Sequence, residues 1–329
     1  MDGLLVIDKP AGWTSHDVVA RVRRVLKERR VGHTGTLDPF ATGVLVILVG
    51  RATRLAQFLS GAEKEYEAAI RLGYATDTGD LTGERRENEA AGRGRGTGAD
   101  IDEGRAEVGE GRADCASLKL GQLEAALAPL RGEFEQVPPM YSAKKVAGKK
   151  LYELARRGEE VERKAVRVRV SEFEILADED GRVLHLHEDG TCDVRARVVC
   201  SAGTYVRALA ESVGERLGTG AHLSALRRTR AGEFRIDSAL SLEELRRRAE
   251  AGREFLLPLE AALPNLPSAH LTAREAGRVR HGAAVPSPLA PEDGAHVLVF
   301  DEGGALVAVA VYDAAAALLR PRVMLAAEK

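Results

Sequence analysis

Gly32-His33-Thr34-Gly35-Thr36-Leu37-Asp38-Pro39-Phe40-Ala41-Thr42-Gly43 runs straight into Val44-Leu45-Val46-Ile47-Leu48-Val49. The first part is rich in Gly and Thr and has no apolar period, so it reads as a loop. The second is a solid apolar run of six, fit for a strand buried on both faces. Pro39 holds Asp38 in extended geometry, and Gly35 and Gly43 permit close approach of a ligand to the backbone. A carboxylate fixed on such a loop can act as nucleophile, general base or metal ligand. It can also simply close an Asx turn, as most Asp-Pro pairs do. The loop lacks the Gly-Lys-Ser/Thr ending of a Walker A motif.

Working outward, Leu4 to Ile7 reads as a short buried strand and Asp8 to Gly12 as a turn. Thr14 and Ser15 are N-cap candidates with Asp17 in the first turn. Val18, Val19, Val22, Val25 and Leu26 then recur at helical spacing, with arginines between them, and Gly32 is expected to close that helix. Downstream, Lys64 to Leu72 reads as a strand and Thr76 to Asp80 as a polar turn. Residues 84–117 hold nine acids, six arginines and seven glycines. Such a stretch cannot bury enough apolar area to offset its ordering entropy, so a disordered surface insertion is expected. A helix is predicted over 118–130, a Pro-, Ser- and Lys-rich loop over 137–150 and a short helix over 149–157. Val166, Val168 and Val170, then Val194, Ala196 and Val198, alternate with polar residues as strands do. Helices follow Tyr205 and span Leu242 to Ala249. From Pro264 the texture changes to short apolar runs split by Gly and Pro, the mark of a small, partly β module. The whole predicts an α+β fold with a central sheet and a separate C-terminal unit.

The chain of 329 residues carries a net charge of −2. Without 84–117 it is near neutral with local basic clusters, and patches rather than totals govern electrostatic binding because screening acts within about 10 Å. No apolar run reaches the ~20 residues of a bilayer span. The N-terminus lacks a signal-peptide pattern. Cys115, Cys192 and Cys200 make no C-x-x-C pair, so neither a disulfide framework nor a zinc site is expected, and the expected location is cytoplasmic.

The Gly32–Gly43 string resembles the catalytic motif of the bacterial TruB family of tRNA pseudouridine-55 synthases. The resemblance continues in order through Asp8-Lys9-Pro10, Lys64-Glu65-Tyr66 and Thr76-Asp77-Thr78 with Asp80. It extends to Pro138-Pro139-Met140-Tyr141-Ser142-Ala143-Lys144-Lys145, Gly203-Thr204-Tyr205-Val206-Arg207 and Ala221 to Thr229. It departs at 84–117. The resemblance implies a pseudouridine synthase fold with a mixed, largely antiparallel central sheet over residues 1–260, and a small PUA-like β module over 264–329. Residues 137–157 would then be an RNA-clasping loop and helix.

By the same resemblance Asp38 is the catalytic carboxylate. Arg207 pairs with it, and an opposite charge at that range is expected to lower its pKa. Tyr66, Tyr205 and Leu226 line the base pocket, and His33 enters the T-loop. Lys9, Lys144, Lys145, Lys149, Arg227 and Arg228 are candidate phosphate contacts, which position RNA without reading its sequence. The implied substrate is the T-arm of tRNA, with no cofactor, no metal, no membrane, no obligate protein partner and a monomeric state. Two other possibilities are a guide-RNA-dependent relative acting on ribosomal RNA and a tRNA-folding chaperone.

Overall fold

The computed structural model describes residues 1–86, 115–142, 144–146, 148–155, 157–159 and 161–325. The elements of the first half are β1 (Gly3–Lys9), α1 (Ser15–Leu26), β2 (Val31–His33), β3 (Thr42–Val49), α2 (Ala56–Leu59), β4 (Lys64–Leu72), α3 (Leu120–Leu127) and β5 (Gly132–Gln136). A small hairpin, β6 (Lys145–Val146) and β7 (Lys149–Lys150), leads into α4 (Leu151–Ala155). Then come β8 (Val166–Leu176), β9 (Leu184–Leu186), β10 (Cys192–Cys200), α5 (Val206–Leu217), β11 (Ala221–Ala231), β12 (Phe234–Arg235) and α6 (Leu242–Glu250). The C-terminal part holds β13 (Ser268–His270), α7 (Ala273–Arg280), β14 (Val285–Pro286), β15 (His296–Phe300), β16 (Leu306–Asp313) and β17 (Leu318–Met324).

The large sheet runs β1-β3-β11-β4-β10-β8-β5, with β2, β9 and β12 attached at its side. Its pairs are antiparallel except β11 with β3, which meet in parallel through Arg227 with Thr42 and Arg228 with Gly43. The expected mixed, largely antiparallel sheet is therefore present. A second, five-stranded sheet, β13-β15-β16-β17-β14, forms the C-terminal unit.

The apolar run of β3 is buried on both faces, and its alternation sorts into two cores. Leu45, Ile47 and Val49 pack with Val18, Val19 and Val22 of α1 and Leu245 of α6. Val44, Val46 and Leu48 pack with Leu298, Val309 and Val323 of the C-terminal sheet. One strand thus fastens the small unit to the large one, and Arg54 reinforces the joint by donating to the Met324 carbonyl at 2.7 Å. A third core lies under β4, β10 and β11, covered by α3 and α5.

Two local expectations are corrected. The first helix ends at Lys27, which takes the left-handed conformation (φ 53°) and returns its N–H to the Arg23 carbonyl. Gly32 instead lies in β2, opposite Leu48, because strand pairing there outcompetes a longer helix. The 137–150 loop contains the β6–β7 hairpin, and the helix after it is confined to Leu151–Ala155. Most of the 84–117 expectation lies outside the described residues.

Candidate active site

The loop between β2 and β3 is pinned from several elements. Ser15, at the start of α1, accepts from the Leu37 N–H at 2.9 Å. The Pro39 carbonyl accepts from Gly12 N–H at 2.8 Å and from the Lys9 ammonium at 3.2 Å. Arg228 donates to the Gly35 carbonyl at 3.1 Å and, through Nε, to Val44 at 2.7 Å. Gly43 sits where β11 crosses: with φ at +100°, a Cβ there would stand 2.2 Å from the Arg228 carbonyl oxygen, so only glycine fits.

This framework presents Asp38 to a cavity of about 270 Å³ lined by Tyr66, Tyr205, Arg207, Leu226, Arg228 and Lys64 among others. Arg207 Nε stands 3.0 Å from Asp38 Oδ2, with the arginine almost fully enclosed and 34% of the Asp38 side chain open to the cavity. The rest of the guanidinium is also engaged. It donates to the Thr78 carbonyl at 2.7 Å and the Tyr141 carbonyl at 2.6 Å, and lies 3.6 Å from Asp80 Oδ2. A planar fork with this many fixed partners has little freedom to turn, which holds the carboxylate in one orientation.

The expectation that Arg207 lowers the Asp38 pKa is corrected in its net sign. Burial raises it above the ordinary carboxylate value, Asp80 pushes the same way, and the pull of Arg207 and Lys9 only partly offsets them. Burial likewise raises the Tyr66 phenol, with Arg228 opposing, so Tyr66 stays protonated. Tyr205 caps α5 and is locked by Gln136, which accepts from its N–H at 2.8 Å and donates to its carbonyl at 3.1 Å.

Other predicted residues fall elsewhere. Lys9 is completely buried and donates to the carbonyls of Pro10, Trp13 and Pro39, at 2.9, 2.7 and 3.2 Å. Its assignment as a phosphate contact is corrected: it braces the loop that carries Asp38, and burial brings its pKa to about 8. Arg228 is also buried, by its bonds to the loop, and faces the cavity rather than open solvent. Arg227 is half-exposed and paired with Asp8 at 2.8 Å. His33 lies outside the cavity lining, its ring centroid 5.5 Å from that of His16 in an edge-to-face contact, and burial lowers its pKa. Lys149 is exposed and Lys144 half-buried, while the Lys145 side chain lies outside what is described.

The residue-by-residue reading of roles missed Asp80 and Lys64. Asp80 is buried beside Arg207 and accepts from Thr82 Oγ1 at 2.6 Å. Lys64 lines the cavity with its pKa brought by burial to about 8. Both stand inside quoted motifs, so the signal was their place next to Thr78 and Tyr66. Among the described residues no group of His, Cys, Asp or Glu is arranged to hold a metal ion, and no helix is long and apolar enough to cross a membrane.

A family model described as TruB family pseudouridylate synthase, N-terminal domain, matches residues 23–102 and 94–206. A second, described as tRNA pseudouridylate synthase B C-terminal domain, matches residues 207–264. The tRNA pseudouridine synthase B of Geobacillus thermodenitrificans is 43% identical over 325 residues, covering 98% of each chain. That of Thermobifida fusca is 46% identical over 282 residues, 85% of each. Among solved structures, a Cbf5-Nop10-Gar1 complex aligns with a TM-score of 0.66 at 28% identity, over 98% of this chain and 85% of that one.

Proposed function

The chain belongs to the TruB family of pseudouridylate synthases, and on that premise we propose that it converts the T-loop uridine of tRNA, position 55, to pseudouridine. The shared name of its relatives supports tRNA as the substrate. The observation that carries the chemistry is Asp38, 3.0 Å from a buried Arg207, at the wall of a cavity with Tyr66, Tyr205 and Leu226.

The reaction breaks the C1′–N1 bond, turns the uracil, and joins C1′ to C5. The C5 proton leaves and N1 gains one, so atoms and electrons balance without a redox step. Asp38 either adds to C1′ or removes a ribose proton, and both roles need it ionised. Arg207 and Lys9 oppose the desolvation that works against ionisation. A flipped base loses its stacking, and an aromatic wall restores about 1–3 kcal/mol of it. Tyr66, held neutral by burial, suits that stacking role better than a role as base at C5.

Lys144, Lys145, Lys149 and Arg227 contact phosphates around the cleft. Residues 1–260 form the catalytic domain, 137–157 clasp the RNA, and the PUA-like unit at 264–329 grips the acceptor stem. Its shared core with β3 supports a fixed rather than a tethered grip. The enzyme acts as a cytoplasmic monomer without an obligate protein partner.

The similarity to the Cbf5-Nop10-Gar1 complex favours one second reading, a synthase that works only within an assembly. One experiment separates the two: pseudouridine is mapped in a tRNA transcript after incubation with the pure chain. Product at the T-loop uridine supports the proposal; no product without added proteins and guide RNA refutes it.

A further inference from the structure

Many arginines among the described residues are matched with carboxylates, including Arg51, Arg71, Arg197, Arg230, Arg248 and Arg320. The outer side of α1 and the turn after it are different. Arg21, Arg24, Lys27, Arg29 and Arg30 have no carboxylate partner among the described residues, and all but the half-buried Arg21 are exposed. The two acids of the segment are engaged elsewhere. Asp17 accepts from the Thr14 N–H at 2.9 Å and hydroxyl at 2.6 Å, closing the capping box of α1. Glu28 faces the N-terminal ammonium at 3.7 Å.

At the head of this basic strip stands Trp13, the only tryptophan of the chain, 38% exposed. It shares a surface hollow of about 310 Å³ with Asp17, Ala20, Arg21 and Arg24. Residues 17, 20, 21 and 24 follow helical i, i+3 and i+4 spacing, so they form one continuous face. That face joins the catalytic loop directly. The Trp13 carbonyl and the Pro39 carbonyl share the Lys9 ammonium, Ser15 holds Leu37, and His16 meets His33 edge to face.

We propose that this face is a second RNA-contact surface, over which the sugar-phosphate backbone of the same tRNA continues beyond the T-loop. Unmatched guanidinium and ammonium groups fit phosphates, and an exposed indole between arginines fits a base or ribose face. The inference rests on the function proposed above and extends its substrate contact beyond the cleft.

Binding of a full tRNA transcript and of an isolated T-arm hairpin tests it, measured across a salt series for wild type, Arg21→Gln/Arg24→Gln and Trp13→Ala. Each phosphate contact contributes roughly 0.7–0.9 to the slope of log affinity against log salt. The double variant should lose about 1.4–1.8 of that slope on tRNA, and Trp13→Ala about fivefold in affinity, taking the low end of one stacked base. Both variants should bind the hairpin, and convert it, as wild type does. A control pair on a distant, highly exposed surface, Arg167→Gln/Arg182→Gln, should leave tRNA binding nearly unchanged. Affinity for tRNA within twofold of wild type would overturn the proposal. So would an equal loss on the hairpin, or an equal loss in the control. If wild type forms no pseudouridine in either RNA, the function reading fails, while the binding comparison still judges this surface.

Discussion

The loop that carries Asp38 and the outer face of α1 lie side by side and use charge in opposite ways. Around the loop, Lys9, Arg207 and Arg228 are all spent internally. Lys9 is enclosed by three carbonyls, Arg228 by Gly35 and Val44, and Arg207 by Asp38, Asp80, Thr78 and Tyr141. Arg24 of α1, and Lys27, Arg29 and Arg30 in the turn after it, are exposed and have no acid partner among the described residues. Buried cations fix geometry, because an unmade hydrogen bond in a dry site is costly. Exposed cations fix nothing internally and are left to attract a polyanion. A positive residue near this site is therefore informative only once its burial is known.

Breaking the buried side should have the largest effect. Asp38→Asn removes the carboxylate proposed to act at the ribose, so product formation should fall by at least about 10³-fold, read in single-turnover assays. RNA affinity should persist. Arg207→Lys keeps the charge but loses the fork, and turnover should fall by about 10²-fold with tRNA binding retained. Wild-type turnover there would show that orientation by Arg207 is irrelevant.

The acid side of the pH profile sharpens the same point. Burial raises the Asp38 pKa, and the proposed role needs the ionised form. Activity should therefore fade on acidification at a pH above the ordinary aspartate value of about 3.9. Arg207→Gln removes a cation that stabilises the carboxylate, so the residual activity should fade at still higher pH. A profile of kcat/KM unmoved by that change would separate Arg207 from the titration of Asp38.

The smallest effect contrasts two lysines. Lys149→Gln, on the exposed clasp, should reduce the salt slope of tRNA binding by about 0.7–0.9. Lys9→Met should leave that slope unchanged, because its ammonium never meets solvent. A lower slope for Lys9→Met would mean that the loop opens to expose it.

Much of the site was legible in the linear chain, for a physical reason. Loops that bring backbone close to a ligand need particular residues in unbroken order, as Gly35, Asp38, Pro39 and Gly43 show. The double burial of Val44 to Val49 is equally a local property, since six adjacent apolar side chains leave no polar face. The two halves of that face, one covered by α1 and α6 and the other by the C-terminal sheet, came only with the fold. So did the parallel meeting of β11 with β3, which makes Gly43 indispensable. The end of α1 at Lys27 was also settled by strand pairing at Gly32, a contact with distant Leu48 that helix-end signals do not contain.

Residue type alone determined that Asp38 and Arg207 carry opposite charges, and the motif resemblance paired them. Tertiary structure decided that desolvation outweighs their attraction, and that Lys9 is a buried brace while Arg24 is exposed. Both outcomes depend on how much water each group keeps, and the packing of many separated segments, not local sequence, sets that quantity.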